Sequence, residues 1–218
     1  MPESVKPTRT PEYRRRRERA RATRSRVLES ARDLFIERGY GATTIDAIAQ
    51  RADVSPETIY SVFGNKRSVL SELVDISIAG DVGAAPVLQQ DWVEAMRDEP
   101  DLHRRVEILA SNGRAILERR AAIDDLVRGA ASADPEIAAL RDRSKTQRRA
   151  GQRELLRLIV GATGLRAGLD LEVGADILYA IGSPETYQLL VVERNWTGHQ
   201  FERWYAETIE RLLLEPPS

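Results

Sequence analysis

Four times in this chain an oxygen-bearing side chain, a proline and a glutamate follow one another. They are Thr10-Pro11-Glu12, Ser55-Pro56-Glu57, Asp134-Pro135-Glu136 and Ser183-Pro184-Glu185. Each triplet sets an acceptor at a helix N-cap and a proline at the first helical position, where no amide donor is missed. The glutamate then faces the positive end of the helix dipole. Four such starts commit much of a 218-residue chain to helix. Nowhere do β-branched residues alternate with polar ones over four or more positions, so the expected class is all-α.

Apolar periodicity places a first helix at about 23–38, stopped by Gly39, with an arginine-rich extension before it. Further helices are expected at about 44–51, 55–62 and 66–79, then a Gly/Ala/Pro linker at 81–86. The remainder reads as helices at about 88–97, 101–118, 120–130, 135–160, 170–181, 184–194 and 198–214, with a Gly-rich link at 161–169. Three parts follow: an arginine-rich arm over 1–22, a compact helical domain over 23–70, and a larger helical domain over 71–218.

Charge is divided unevenly along the chain. Residues 1–70 carry 15 Lys and Arg against 9 Asp and Glu, although the whole chain has a net charge of −1. A basic N-terminal third on an acidic body points to a polyanion bound at one end. The arm from Arg9 to Arg26 alone holds nine arginines against Glu12 and Glu18. Arg14, Arg15, Arg16 and Arg17 are its densest run and the expected phosphate or minor-groove contacts.

Enzymatic chemistry finds little to work with. Cysteine is absent and the two histidines, His103 and His199, are far apart, so no thiol nucleophile, metal site or Ser/His/Asp arrangement is indicated. Gly161-Ala162-Thr163-Gly164 lacks the spacing of a phosphate-binding loop. The reading is a non-enzyme with no cofactor and no metal. Without an apolar run of about 18 residues or an apolar leader, it is expected in the cytoplasm and not on a membrane.

The informative stretch runs from Leu28 to Leu70. Leu28, Ala31, Leu34 and Phe35 form one helical stripe, and Ile45, Ile48, Ala49 and Ala52 form a second. Thr43 with Asp46 fits a capping box for that second helix. After Ala52-Asp53-Val54 comes the helix Ser55–Phe63. Two helices of about eight residues joined by about three cannot bury a face each; they cross as a helix-turn-helix. Ile59 and Phe63 then turn inward, leaving Glu57, Thr58, Tyr60 and Ser61 outside. Small hydroxyls and a phenol beside a basic arm suit a DNA groove.

The segment 39–70, GYGATTIDAIAQRADVSPETIYSVFGNKRSVL, resembles the DNA-binding domain of the TetR family of transcriptional regulators. The shared features are Gly39-Tyr40, Thr43-Thr44, Ile48-Ala49, Val54-Ser55, Thr58-Ile59-Tyr60, Phe63, and Asn65-Lys66 before Leu70. The C-terminal part is similar in its all-helical layout and in SPETYQLLVVERNW, near a penultimate-helix pattern of some members. The resemblance implies that Thr44 touches phosphate and that Thr58 and Tyr60 contact phosphate or base edges. It implies a phosphate contact for Lys66 at the start of the fourth helix, with Ser55, Pro56, Glu57 and Ser61 at reading positions. Three residues depart from the pattern: Asp53 at a turn position usually held by Gly, and Ile45 and Val62 where members often place polar DNA contacts.

By the same resemblance the protein is a homodimeric repressor, released from a pseudo-palindromic operator by a small hydrophobic effector. Trp92, Met96, Asn112, Tyr179 and Tyr187 are the candidate pocket residues between the later helices. For the dimer, Phe201, Trp204, Tyr205, Ile209 and Leu212 repeat at helical spacing on the last helix, and Tyr187, Leu190 and Val191 on the one before. Joined across a two-fold axis they would form an intermolecular four-helix bundle; alternatively these faces close the subunit's own core. The basic stretch within 141–157 spreads around its helix and reads as a solvated face. Two rival functions stay open at this point. One is an effector-independent architectural DNA binder, and the other an enzyme with its active site in the C-terminal domain.

Overall fold

A computed structural model describes residues 11–161 and 164–215. Arg9, Thr10 and the pair Ala162-Thr163 therefore lie outside the described residues. Every regular element among those described is helical, and the chain divides into two compact units, Met1–Glu72 and Leu73–Ser218.

In the first unit, α1 runs Pro11–Ala42, α2 Ile45–Ala52, α3 Pro56–Phe63 and α4 begins at Lys66. Residues 11–22 are the opening turns of α1 and not a separate arm. Arginines at half of these positions keep good helix propensity, and Glu12 sits in the first turn. Twelve residues of helix extend roughly 18 Å at 1.5 Å per residue. The path of α1 breaks where the sequence indicates, at Gly39, whose φ of 77° and ψ of 162° suit glycine alone. Val27, Leu28, Ala31, Leu34 and Phe35 of α1 are buried with Ile45, Ile48 and Ala49 of α2, Ile59 and Phe63 of α3, and Leu70 of α4.

The capping box expected at Thr43 and Asp46 does not form. Thr44 is the N-cap, its Oγ1 accepting from the Ala47 amide at 3.1 Å. Thr43 is wholly buried instead, its hydroxyl reaching the carbonyls of Gly39 at 2.9 Å and Leu34 at 3.1 Å. The Gly39 carbonyl stands at the break in α1, where regular helical bonding stops, so the first threonine of the pair turns inward to serve it.

The second unit contains the end of α4, which stops at Ala79, and then α5 (Asp91–Asp98), α6 (Leu102–Ala131) and α7 (Pro135–Val160). After these come α8 (Leu171–Ile181), α9 (Pro184–Tyr187) and α10 (Gly198–Leu213). Ser55, Asp134 and Ser183 all cap their helices as the triplets foretell. Where two helices were expected at 101–118 and 120–130 there is one, because no glycine or proline interrupts residues 114–128. Gly113 sits inside α6 because the Tyr205 ring of α10 lies against it, 3.1 Å from where a Cβ would stand. Tyr205 joins Met96, Leu109, Leu156, Ile159, Leu178, Phe201 and Ile209 in the core.

The stretch 141–157 does more than meet solvent. Arg148 donates to the Tyr179 carbonyl at 3.0 Å with its guanidinium 3.6 Å above that ring. Arg149 pairs with Asp176 at 2.9 Å, and Arg153 with Glu172 at 2.5 Å, so the face ties α7 to α8.

Candidate nucleic-acid interface

The turn between α2 and α3 depends on Asp53. Its φ of 52° and ψ of 54° are left-handed, and its amide closes α2 by donating toward Ala49 and Gln50. Aspartate reaches this region more cheaply than most side chains, so it can replace the glycine usual there. Ser55 then caps α3 by accepting from the Thr58 amide at 3.3 Å, and its hydroxyl lies 3.2 Å from that of Thr58. Pro56 and Thr58 are half-buried by this arrangement, whereas Ser55, Glu57, Tyr60, Ser61 and Val62 are exposed. Tyr60 is 54% exposed, an unusual amount for a tyrosine next to the fully buried Ile59. Its phenol projects from the domain surface, beside the short hydroxyl of Ser61.

Glu57 occupies the first turn of α3, where its own backbone N–H and the Ser55 hydroxyl hold its carboxyl below the usual range. It is thus an anion at neutral pH on the reading face. Such a group repels phosphate but can accept from a cytosine amino group. Thr44 is exposed at the start of α2, while Ile45 is buried. The departure at Ile45 is therefore a core residue, and that at Val62, 39% exposed, remains a surface one.

Lys66 is placed differently from the expected phosphate contact. Its Nζ donates to the carbonyls of Tyr40 at 2.8 Å and Thr43 at 2.7 Å, and lies 4.3 Å above the Tyr40 ring. The ammonium is used to fasten the start of α4 onto the end of α1. Two nearby arginines are also engaged inside the unit. Arg24 forms a two-pronged pair with Glu72 and stacks 4.8 Å over Phe63, and Arg51 makes a two-pronged pair with Glu37 at 2.8 Å. Arg14, Arg15, Arg16 and Arg17 stay exposed on the α1 extension.

Residues 27–73 match the family model described as bacterial regulatory proteins, tetR family. The uncharacterized HTH-type transcriptional regulator YdeS of Bacillus subtilis (strain 168) is 30% identical over 182 residues, covering 81% of this chain and 83% of YdeS. The chain belongs to the TetR family of transcriptional regulators. It is a DNA-binding regulator and not an enzyme. Two solved structures share its fold across both parts of a TetR protein. One is NalD, the secondary repressor of the MexAB-OprM multidrug efflux pump in Pseudomonas aeruginosa (TM-score 0.66, 17% identity, 89% of this chain and 98% of NalD). The other is a regulator from Saccharomonospora viridis in complex with choline (TM-score 0.65, 20% identity, 88% of this chain and 98% of that one).

Within the C-terminal part of this TetR protein, the residues expected to line a pocket are occupied otherwise. Met96 and Tyr187 are core, Tyr187 meeting Phe201 edge-on at 5.0 Å. Trp92 donates to Gln90 at 2.8 Å, Asn112 to the Ile108 carbonyl one turn back at 2.8 Å, and Tyr179 lies under Arg148. None of the five lines a cavity of about 110 Å³ among the described residues of the second unit. That cavity lies between α6, α7 and the segment after Ser183, and charged side chains dominate its walls. Aromatics at helical spacing fill the core, and no local pattern marks the polar faces of two long helices that enclose a space.

The interface residues need a similar correction. Tyr187, Phe201, Tyr205 and Ile209 are at most 5% exposed in the single subunit, so they close its own core and cannot reach a partner. Leu190, Val191 and Trp204 are half-buried, and Leu212 is 44% exposed. The reason lies in the helix after Tyr187. From Gln188 to Glu193 it widens to a π-helix, with the Arg194 amide donating to Leu189 five residues back at 3.1 Å. On this segment Leu189 (51% exposed) and Val192 (54% exposed) stand on the side opposite the buried Tyr187 and face outward.

Proposed function

We propose that this TetR protein is a homodimeric repressor that binds a pseudo-palindromic operator and is released by a small-molecule ligand. The observation carrying this reading is the uncovered polar face of α3, Glu57, Tyr60 and Ser61, on a helix whose apolar side is fully used by its own domain. A helix so presented needs an external partner of groove dimensions. NalD is itself a repressor and the Saccharomonospora viridis protein binds choline, which supports the repressor sense and the existence of a ligand. No described helix is long and apolar enough to cross a membrane. The proposed place of action is therefore the cytoplasm, where the operator lies.

Selecting bound DNA from a random pool and footprinting the selected site tests the reading directly. A repressor of this kind should protect one site with two related halves about 34–36 Å apart centre to centre. Binding with little preference among sequences would instead favour an architectural protein.

Tyr60→Phe removes one hydroxyl while leaving the ring in place. Operator binding is expected to weaken by about 1–2 kcal/mol, with thermal stability unchanged, since the phenol makes no contact that holds the domain together. Titration by fluorescence anisotropy beside a melting curve separates the two effects.

The α1 extension carries the second prediction. If its exposed arginines hold two or three phosphates, deleting residues 1–22 should flatten the plot of log K against log salt by roughly two to three units. Sequence preference should persist, because the reading side chains lie on α3. An unchanged slope would remove Arg14 to Arg17 from the interface.

A further inference from the structure

The cavity of the second unit is built in a way that core packing does not require. Arg120 of α6 is 5% exposed, and its guanidinium pairs with Asp124 and donates to the buried Ser144 hydroxyl of α7 at 2.8 Å. Burying such a pair seldom gains stability over apolar side chains of the same size, so its presence beside a cavity calls for another reason. Both acids that α6 contributes are already neutralised by its own arginines, Asp124 by Arg120 and Asp125 by Arg128. The α7 wall is different. Arg141, Lys145 and Arg148 lie one turn apart along the cavity with no acid among them. The segment after Ser183 brings two acids to the cavity, Glu185 and Glu193; Arg148 is held by Tyr179 and approaches Glu185 only to 4.0 Å, while Arg141 and Lys145 have no ion-pair partner among the described residues.

We propose that this cavity is a binding site for a small organic anion, whose carboxylate or phosphate sits against Arg141 and Lys145 beside Ser144. The two side chains stand four residues apart on one helix face, close enough to share one anionic group. A cavity of about 110 Å³ is smaller than the one of about 150 Å³ that holds benzene, so the enclosed part of the ligand has roughly six non-hydrogen atoms or fewer. The lining replaces the hydrophobic effector that the resemblance implied with a charged one. This inference rests on the ligand-responsive reading only for its consequence at the operator; the binding site stands or falls by itself.

The full-length protein is titrated calorimetrically at low salt with inorganic phosphate, succinate and, as an oppositely charged control, choline. At least one of the two anions should bind saturably at one per chain, and choline should not. The Arg141→Gln/Lys145→Gln double variant should lose at least tenfold in affinity for that anion, with its unliganded melting temperature unchanged because neither side chain is tied to another. The variant also discounts anion binding to the arginines of α1, which it leaves intact. No saturable binding by either anion, equal affinity in the variant, or binding of choline in their place would overturn the site. The operator is titrated separately with and without the bound anion. An anion that binds yet leaves operator affinity untouched would keep the site and refute the release of the repressor through it.

Discussion

A Val192→Arg/Leu212→Arg variant is expected to be a well-folded monomer whose operator affinity falls by at least a hundredfold. Both positions are about half exposed in the single subunit, so arginine there costs the fold little. Across a two-fold axis the outward faces of these two segments would meet their copies, and each subunit would bury two unpaired guanidinium groups. One such group costs several kilocalories per mole in a sealed interface, which is enough to abolish association at micromolar concentration. The operator effect follows from symmetry. A dimer places two recognition helices on successive major grooves and adds their binding energies, whereas a monomer has one half-site. Light scattering gives the mass, circular dichroism the fold, and a titration the affinity. A variant that stayed dimeric with full affinity would move the interface away from the last two helices. Leu190, chosen on helical spacing alone, is a poorer test, since it packs partly against the subunit's own core and its replacement would confound folding with association.

The contrast between Leu190 and Val192 shows what could be read in the sequence and what could not. The capped starts at Ser55, Asp134 and Ser183, the break at Gly39 and the left-handed Asp53 were all legible, because each is decided by a residue and its immediate neighbours. The outward residues of α3 were legible too, since a short helix with one apolar side has only one way to face. The π-helix was not. An α-helical period groups Leu190 and Val191 with Tyr187 without saying that their face turns toward the subunit's own core, and nothing local marks the inserted residue. Residues whose roles depend on distant partners were equally hidden. The pairing of Arg120 with Ser144 spans α6 and α7, and it appears as a cavity wall only once both helices lie side by side. Four aromatic and aliphatic residues expected at the interface met the same difficulty, because spacing identifies an apolar face without saying which surface covers it.

Lys66 is where resemblance and geometry differ most, and they lead to opposite measurements. A lysine that only touched phosphate would leave the free protein's stability unchanged on removal and would lower the salt slope of DNA binding by about one. The lysine seen here donates to the Tyr40 and Thr43 carbonyls and lies over the Tyr40 ring. The Tyr40 carbonyl lies in the broken end of α1 and the Thr43 carbonyl in the link just after it, where the regular helical pattern of donors stops. Lys66→Met keeps the apolar stem and removes the charge, leaving two part-buried carbonyls without that donor. The expected loss is about 2–3 kcal/mol of unfolding free energy, since charge-assisted bonds contribute roughly 1.5–3 kcal/mol each and solvent recovers part of the second. Chemical denaturation of the free protein reads it. Operator affinity should fall as well, but through a shift of α4 and of the turn before it, so the salt slope should stay near that of the unaltered protein. Unchanged stability with a slope reduced by about one would return Lys66 to the DNA and show that its bonds to these carbonyls carry no weight.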